Sequence, residues 1–192
     1  LKKKILITLL IISMLATSVL AYSDVKDDWA KPYIDWASDR GLFTGYKDGT
    51  FRPEGHITNA EFVAVMGRLM TEDVEAQLNF TDVPADAWYE SDLQKLVGAG
   101  LIENSGVFEA NEKIIRAEAF RILAGIYKRT SDEKTEYHFK DAVVVHNQAG
   151  IAALIHDGII KGDGENNLRP LDPISREEMC ALLKKCFDKY GY

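Results

Sequence analysis

A mainly α-helical fold, made of one helix–loop–helix unit used three times, is what this sequence predicts. Three observations carry that expectation. An imperfect pattern recurs from Asp24 to Asp82 to Asp141, in steps of 58 and 59 residues; a period this regular means one supersecondary unit repeated. Each copy holds two stretches whose apolar residues recur on one helical face. Each first stretch ends at a glycine (Gly41, Gly100 or Gly158), and two of the second stretches open on a hydroxyl–glutamate capping signal.

Residues 1–21 read as a signal peptide. Lys2, Lys3 and Lys4 form a basic start, Ile5 to Leu15 is nearly all apolar, and Val19-Leu20-Ala21 supplies small residues for cleavage before Tyr22. The apolar stretch Ile5–Ala21 is 17 residues, at the short end of the roughly 17–25 that span a bilayer, so the alternative, an uncleaved membrane anchor, is the less favoured reading. Export, with no stable membrane span after cleavage, is therefore expected.

The first helix of each unit is expected to begin near Trp29, Trp88 or His146 and to end twelve residues later at its glycine. Ile34, Leu93 and Ile151, then Ala37, Leu96 and Leu154, mark its buried face. The second helix opens with Thr58/Glu61 and Ser175/Glu178 as capping boxes. The middle unit keeps Glu118 but has Ile115 in place of the hydroxyl, a loss worth of order 1 kcal/mol. Between the helices, Gly45 to Pro53 carries an Asp-Gly turn flanked by short extended segments. From glycine to capping glutamate the first and third units span 20 residues and the second 18, so the second loop, Glu103 to Ala110, is shortened. The units run 22–70, 80–127 and 139–188, and 22–188 is expected to fold as one body, because two amphipathic helices bury too little alone.

Without the leader, 20 basic residues face 30 acidic ones, and the formal charge moves from −7 to −10. Such a balance argues against nucleic acid or anionic lipid as general partners. Cys180 and Cys186 lie six residues apart on the last helix, about 9 Å of rise, too far to bridge. They align with Val63 and Phe120, and with Leu69 and Ile126, as core hydrophobes. Asp163 to Asn167 lacks calcium-loop spacing and reads as a turn. The four histidines show no metal-ligand spacing, and no nucleophile elbow or phosphate loop is present. No cofactor or metal is expected, and no catalysis.

Phe-x-Asp-Val, a tryptophan five or six residues on, Gly-Tyr-x-Asp-Gly-Thr-Phe-Arg-Pro and a Thr-Arg-Ala-Glu-like helix start together resemble the surface-layer homology (SLH) domain, over residues 22–188. The resemblance implies a pseudo-threefold helical arrangement sharing a central core, with grooves between neighbouring motifs. It implies non-covalent attachment to a bacterial cell wall through an anionic, pyruvylated secondary cell-wall polysaccharide or a peptidoglycan-linked polymer. The arginine of the Thr-Arg-Ala-Glu element is the contact it implies for the ketal carboxylate.

Arg116 and Arg176 match that arginine, and Asn59 replaces it in the first motif. In the first turn of a helix, a guanidinium beside free backbone N–H groups and the positive dipole end suits a carboxylate; the alternative is an ordinary solvated charge. If they only face ligand, their replacement leaves the fold intact. Trp29 and Trp88 either stack on a sugar or pack the core. Asp24, Asp82 and Asp141 either cap the first helix or meet a sugar hydroxyl, capping being the expected job. Three function classes follow: a wall-anchoring saccharide binder, a structural surface protein whose repeats contact other surface proteins, and a wall-active hydrolase. The first is the one the motifs favour. The chain reads as a bare anchor, a recruiting subunit or a piece of a longer reading frame.

Overall fold

Six helices carry the three units: α1 (Lys31–Asp39), α2 (Asn59–Leu69), α3 (Glu90–Gly98), α4 (Arg116–Ile126), α5 (Ala149–His156) and α6 (Arg176–Tyr190). They come from a computed structural model that describes residues 22–71, 76–130, 139–141 and 149–191. The leader and His146 lie outside those residues. The first helices start later than the tryptophans suggest, at Lys31 and Glu90. The segment around Trp29 is held by a local turn in which Asp28 Oδ1 accepts from Ala30 N at 3.0 Å. Their ends agree with the sequence: Gly41, Gly100 and Gly158 sit at φ of 65°, 70° and 73°, where a Cβ would be strained.

The second helices begin as their capping signals direct. Thr58 Oγ1 accepts from Glu61 N at 3.1 Å while Thr58 N donates to Glu61 Oε2 at 3.0 Å. Ser175 and Glu178 repeat the arrangement at 3.2 and 3.0 Å. Ile115 cannot cap, and Glu118 is paired instead with Arg121 of its own helix.

Packing closes the units into a ring. α3 lies on α2, α5 on α4, and α1 on α6, so each first helix is buried by the second helix of the preceding unit and the last unit covers the first. At the centre, Ile57 N donates to Ile174 O at 3.2 Å, Ile174 N to Ile114 O at 3.2 Å, and Ile114 N to Ile57 O at 3.1 Å. Each motif thus supplies one donor and one acceptor to a closed cycle. The short extended segments entering the second helices meet only as isolated antiparallel bridges, and no strand forms among the described residues. Around this cycle Ile34, Phe51, Phe62, Leu93, Phe120, Ile151 and Met179 are fully buried in one shared core. Burial of each such side chain is worth about 1.5–3 kcal/mol.

Cys180 and Cys186 are free and buried in that core. Burial pushes both thiols up, Cys186 to about 12, so neither has thiolate character at neutral pH. No helix among the described residues is long and apolar enough to cross a membrane.

Candidate functional site

The motif aspartates latch the loops rather than the helices. Asp24 accepts from Phe51 N and Arg52 N at 2.7 and 2.8 Å, Asp82 from Phe108 N and Glu109 N at 2.7 and 2.8 Å, and Asp141 from Leu168 N and Arg169 N, both at 2.8 Å. Asp24 and Asp82 therefore do not cap α1 and α3, contrary to expectation, while the start of the third unit's first helix, which Asp141 would cap, lies outside the described residues. A carboxylate grips two successive amides with two oxygens, and it does so where Arg52, Glu109 and Arg169 take φ of 57°, 55° and 52°. That conformation is disfavoured for a side-chain-bearing residue, and the latch offsets its cost. Hydrogen bonds from Phe108 and Glu109 hold the Asp82 carboxyl below the usual carboxylate range. A lowered folded-state value stabilises the fold above the unfolded value near 4 and loses that contribution as pH falls through the folded one. Urea titrations between pH 7 and 2.5 should show a steeper acid loss in the native chain than in Asp82→Asn.

The N1 side chain of each second helix reaches the same loop of the next motif. Arg176 Nε donates to Phe51 O at 2.8 Å, Arg116 Nε to Leu168 O at 3.0 Å, and Asn59 Nδ2 to Phe108 O at 3.2 Å. Arg176 also donates to Thr44 O at 2.9 Å, and Arg116 Nη1 to Glu178 Oε1 at 2.8 Å. Arg116 is 8% and Arg176 5% exposed, so they are not solvated surface charges. The first-turn amides are occupied too: Arg176 N and Glu177 N donate to Gly55 O and Pro53 O, Arg116 N and Ala117 N to Asp172 O and Pro170 O, and Asn59 N and Ala60 N to Glu112 O and Ala110 O. The free N–H groups expected beside the arginines are spent on the inter-motif joint. What stays available is one guanidinium nitrogen of each arginine, Nη1 of Arg176 and Nη2 of Arg116, with no hydrogen-bond partner among the described residues.

Above each arginine clamp opens a groove that takes parts from all three motifs. In one, of about 190 Å³, Arg176 comes from the third motif, Thr44, Tyr46 and Glu61 from the first, and Trp88 from the second. In its counterpart, of about 150 Å³, Arg116 comes from the second motif, Lys161 and Glu178 from the third, and Trp29 from the first. Trp29 is 54% and Trp88 66% exposed. Core packing, the commoner job for such a residue, is not what they do. Each stands on a smaller aromatic, Tyr33 and Tyr89, with centroids at 6.2 and 5.4 Å. Arg176 lies 4.6–5.1 Å from the centroids of Phe43, Tyr46 and Phe51, a box that fixes its plane.

The third groove differs in sign. Asn59, Glu103 and Glu118 line about 290 Å³ with no cationic side chain among the described residues; His146, which aligns with Trp29 and Trp88 in the sequence, lies outside those residues.

A model of the S-layer homology domain matches residues 21–63, 79–120 and 138–180, one match per unit. The chain belongs to the S-layer homology domain family. An amylopullulanase of Thermoanaerobacterium thermosulfurigenes is 29% identical over 88% of this chain and 10% of its own length. The surface-layer 125 kDa protein of Lysinibacillus sphaericus is 26% identical over 83% of this chain and 14% of its own. S-layer protein EA1 of Bacillus anthracis is 32% identical over 69% of this chain and 16% of its own. The chain thus matches between 10 and 16% of the length of these relatives.

Within this SLH triplet, sequence reasoning found the arginines and tryptophans but assigned no groove role to Tyr46, Glu178, Lys161 or Lys185. Tyr46 OH donates to Glu61 Oε1 at 3.2 Å, and burial raises its hydroxyl pKa. Glu178 Oε1 accepts from both Arg116 and Arg169 while its Oε2 serves the cap. The signal for these residues was available as the alignment of Lys161 with Thr44 and of Lys185 with Arg68, seven residues beyond each capping glutamate in the latter case.

Proposed function

We propose that this SLH triplet attaches to the bacterial cell surface by binding an anionic wall polysaccharide, a pyruvylated one in the first instance, in the Arg116 and Arg176 grooves. The observation that carries the reading is the pairing of an exposed tryptophan with a buried guanidinium across a cleft, present twice. An indole face suits the C–H side of a sugar ring, and a fixed guanidinium nitrogen suits an anionic substituent on that ring, a flat ketal carboxylate above all at the boxed Arg176. Asn59 keeps only the structural half of that pair and no cationic side chain lines the third groove among the described residues, so the reading assigns no carboxylate to it. Asp24, Asp82 and Asp141 support the grooves by shaping their loops. The ligand is a wall polymer, a secondary polysaccharide or one linked to peptidoglycan, and other surface proteins are the competing partner class. The reading assigns no catalysis: an amylopullulanase and two surface-layer proteins share this segment, so what it does is common to proteins of different activity.

Co-sedimentation of the full chain with purified walls, before and after chemical removal of pyruvyl ketals, tests this. Trp29→Ala and Trp88→Ala should each weaken binding by roughly five- to tenfold, at about 1–1.4 kcal/mol per lost stack, and together abolish it. Their exposure means the fold survives. Binding that persists on ketal-free walls but fails on protein-stripped walls would transfer the function to a protein partner.

A further inference from the structure

Two lysines set the Arg116 groove apart from its Arg176 counterpart. Lys161 stands where the first motif has Thr44, and Lys185 where it has Arg68. Arg68 is committed to the fold, with Nη1 donating to Leu42 O at 2.7 Å. Lys161 and Lys185 line their groove, and among the described residues neither ammonium has a hydrogen-bond or ion-pair partner. They are close enough that, after burial, the charge of Lys161 is the main influence lowering the proton affinity of Lys185. The groove's carboxylate, Glu178, cannot neutralise them. Its Oε1 already accepts from Arg116 Nη1 at 2.8 Å and Arg169 Nη2 at 3.0 Å, and its Oε2 from Ser175 N at 3.0 Å. Lys161 is exposed and Lys185 partly buried on the lining of one groove; two like charges there without a counter-charge raise its energy, and an anion between them removes that cost.

We infer that the Arg116 groove takes a more highly charged anion than the Arg176 groove, a phosphate monoester held between Lys161 and Lys185 on a sugar that packs against Trp29. An ammonium is a compact point charge with rotatable donors and suits the tetrahedral phosphate, whereas the boxed, planar Arg176 suits a flat carboxylate. The two grooves then recognise two different substituents, and a polymer carrying both engages the chain twice. This rests on the attachment function proposed above and assigns the ligand chemistry groove by groove.

The two tryptophans give each groove its own reporter. The indole N–H resonances of Trp29 and Trp88 are followed in the ¹⁵N-labelled full chain, with Trp36 as control, at constant ionic strength and pH 7.5. The probes are methyl phosphate for a monoester, dimethyl phosphate for a diester, and pyruvate for a monocarboxylate. Methyl phosphate should move Trp29 saturably, at least tenfold more tightly than pyruvate or dimethyl phosphate, and leave Trp88 in place. Its affinity should fall between pH 7.5 and 5.5, as the second phosphate proton returns near pH 6. Lys161→Thr installs the residue the first motif already carries, and should weaken methyl phosphate by ten- to a hundredfold, the loss of one charge-assisted contact. Lys185→Gln should do the same, and if it does not fold Lys161→Thr alone decides. Equal shifts of both indoles, equal affinity for pyruvate at Trp29, or an unaffected Lys161→Thr variant overturns the inference. Purified wall polymer separates the two levels. If it moves neither indole the attachment reading falls, while the methyl phosphate titration still decides the charge preference; if it moves both and methyl phosphate prefers neither groove, only the present inference falls.

Discussion

Arg176→Ala is expected to destabilise the protein by about 3–5 kcal/mol: two buried or partly buried carbonyls each lose their donor at about 1–3 kcal/mol, and a void opens among the rings. The side chain donates to Phe51 O and Thr44 O of the first motif from a position on the third, and three aromatic rings pack around it. Truncation leaves two carbonyls without a donor and a void between those rings. Arg116→Ala should cost less, about 2–4 kcal/mol, because Glu178 keeps Arg169 and its own cap after Arg116 is gone. For a chain of this size that is a fall in midpoint of order 10 °C for Arg176, at roughly 2–4 °C per kcal/mol. Arg176→Lys keeps the charge but not the fork, and should fall between native and alanine. Urea denaturation followed by circular dichroism measures all three; an unchanged midpoint in Arg176→Ala would mean the clamp is not structural. The consequence for function is direct. An arginine-to-alanine variant that no longer binds walls is ambiguous between lost ligand contact and a loosened groove, contrary to the expectation that these side chains can be removed with the fold intact. Trp29 and Trp88, exposed and outside the inter-motif joint, report on binding alone.

Most of the secondary structure was legible because its causes are local. A hydroxyl three residues before a glutamate, a glycine after an apolar face, and an Asp-Gly pair each act within one turn, so Thr58/Glu61, Gly41 and Asp48-Gly49 needed no tertiary context. The aspartate latches were not legible in the same way. Asp24 and Asp82 reach amides 26–28 residues away, and nothing near Arg52 or Glu109 announces a left-handed backbone at a charged residue. The burial of Arg116 and Arg176 was hidden for a related reason. A first-turn arginine faces solvent in an isolated helix, and only the closure of three motifs puts another motif's loop over it. The grooves combine an arginine from one motif, a loop from the next and a tryptophan from the one after. That order follows from the packing of α1 on α6, a contact between the two ends of the folded chain.

That same contact predicts how the protein responds to losing a motif. In an open solenoid, deleting the last repeat removes one interface and leaves the remainder folded. Here a chain ending at residue 130 loses two interfaces at once. α1 is stripped of α6, so Ile34 and Ala37, both fully buried, face water, and α4 is stripped of α5. The central cycle opens as well: Ile57 N loses its acceptor at Ile174 O, and Ile114 O loses its donor at Ile174 N. Arg116 N and Ala117 N lose Asp172 O and Pro170 O in the same step. The combined loss exceeds the roughly 5–15 kcal/mol that holds a domain of this size together. A 22–130 fragment should therefore show no cooperative thermal transition and little protection from proteolysis. The full chain should melt once, with α2 and α6 disappearing together by hydrogen exchange. A monomeric 22–130 fragment with a sharp transition would show that two motifs suffice. The ring would then be a way of assembling grooves rather than the condition for folding.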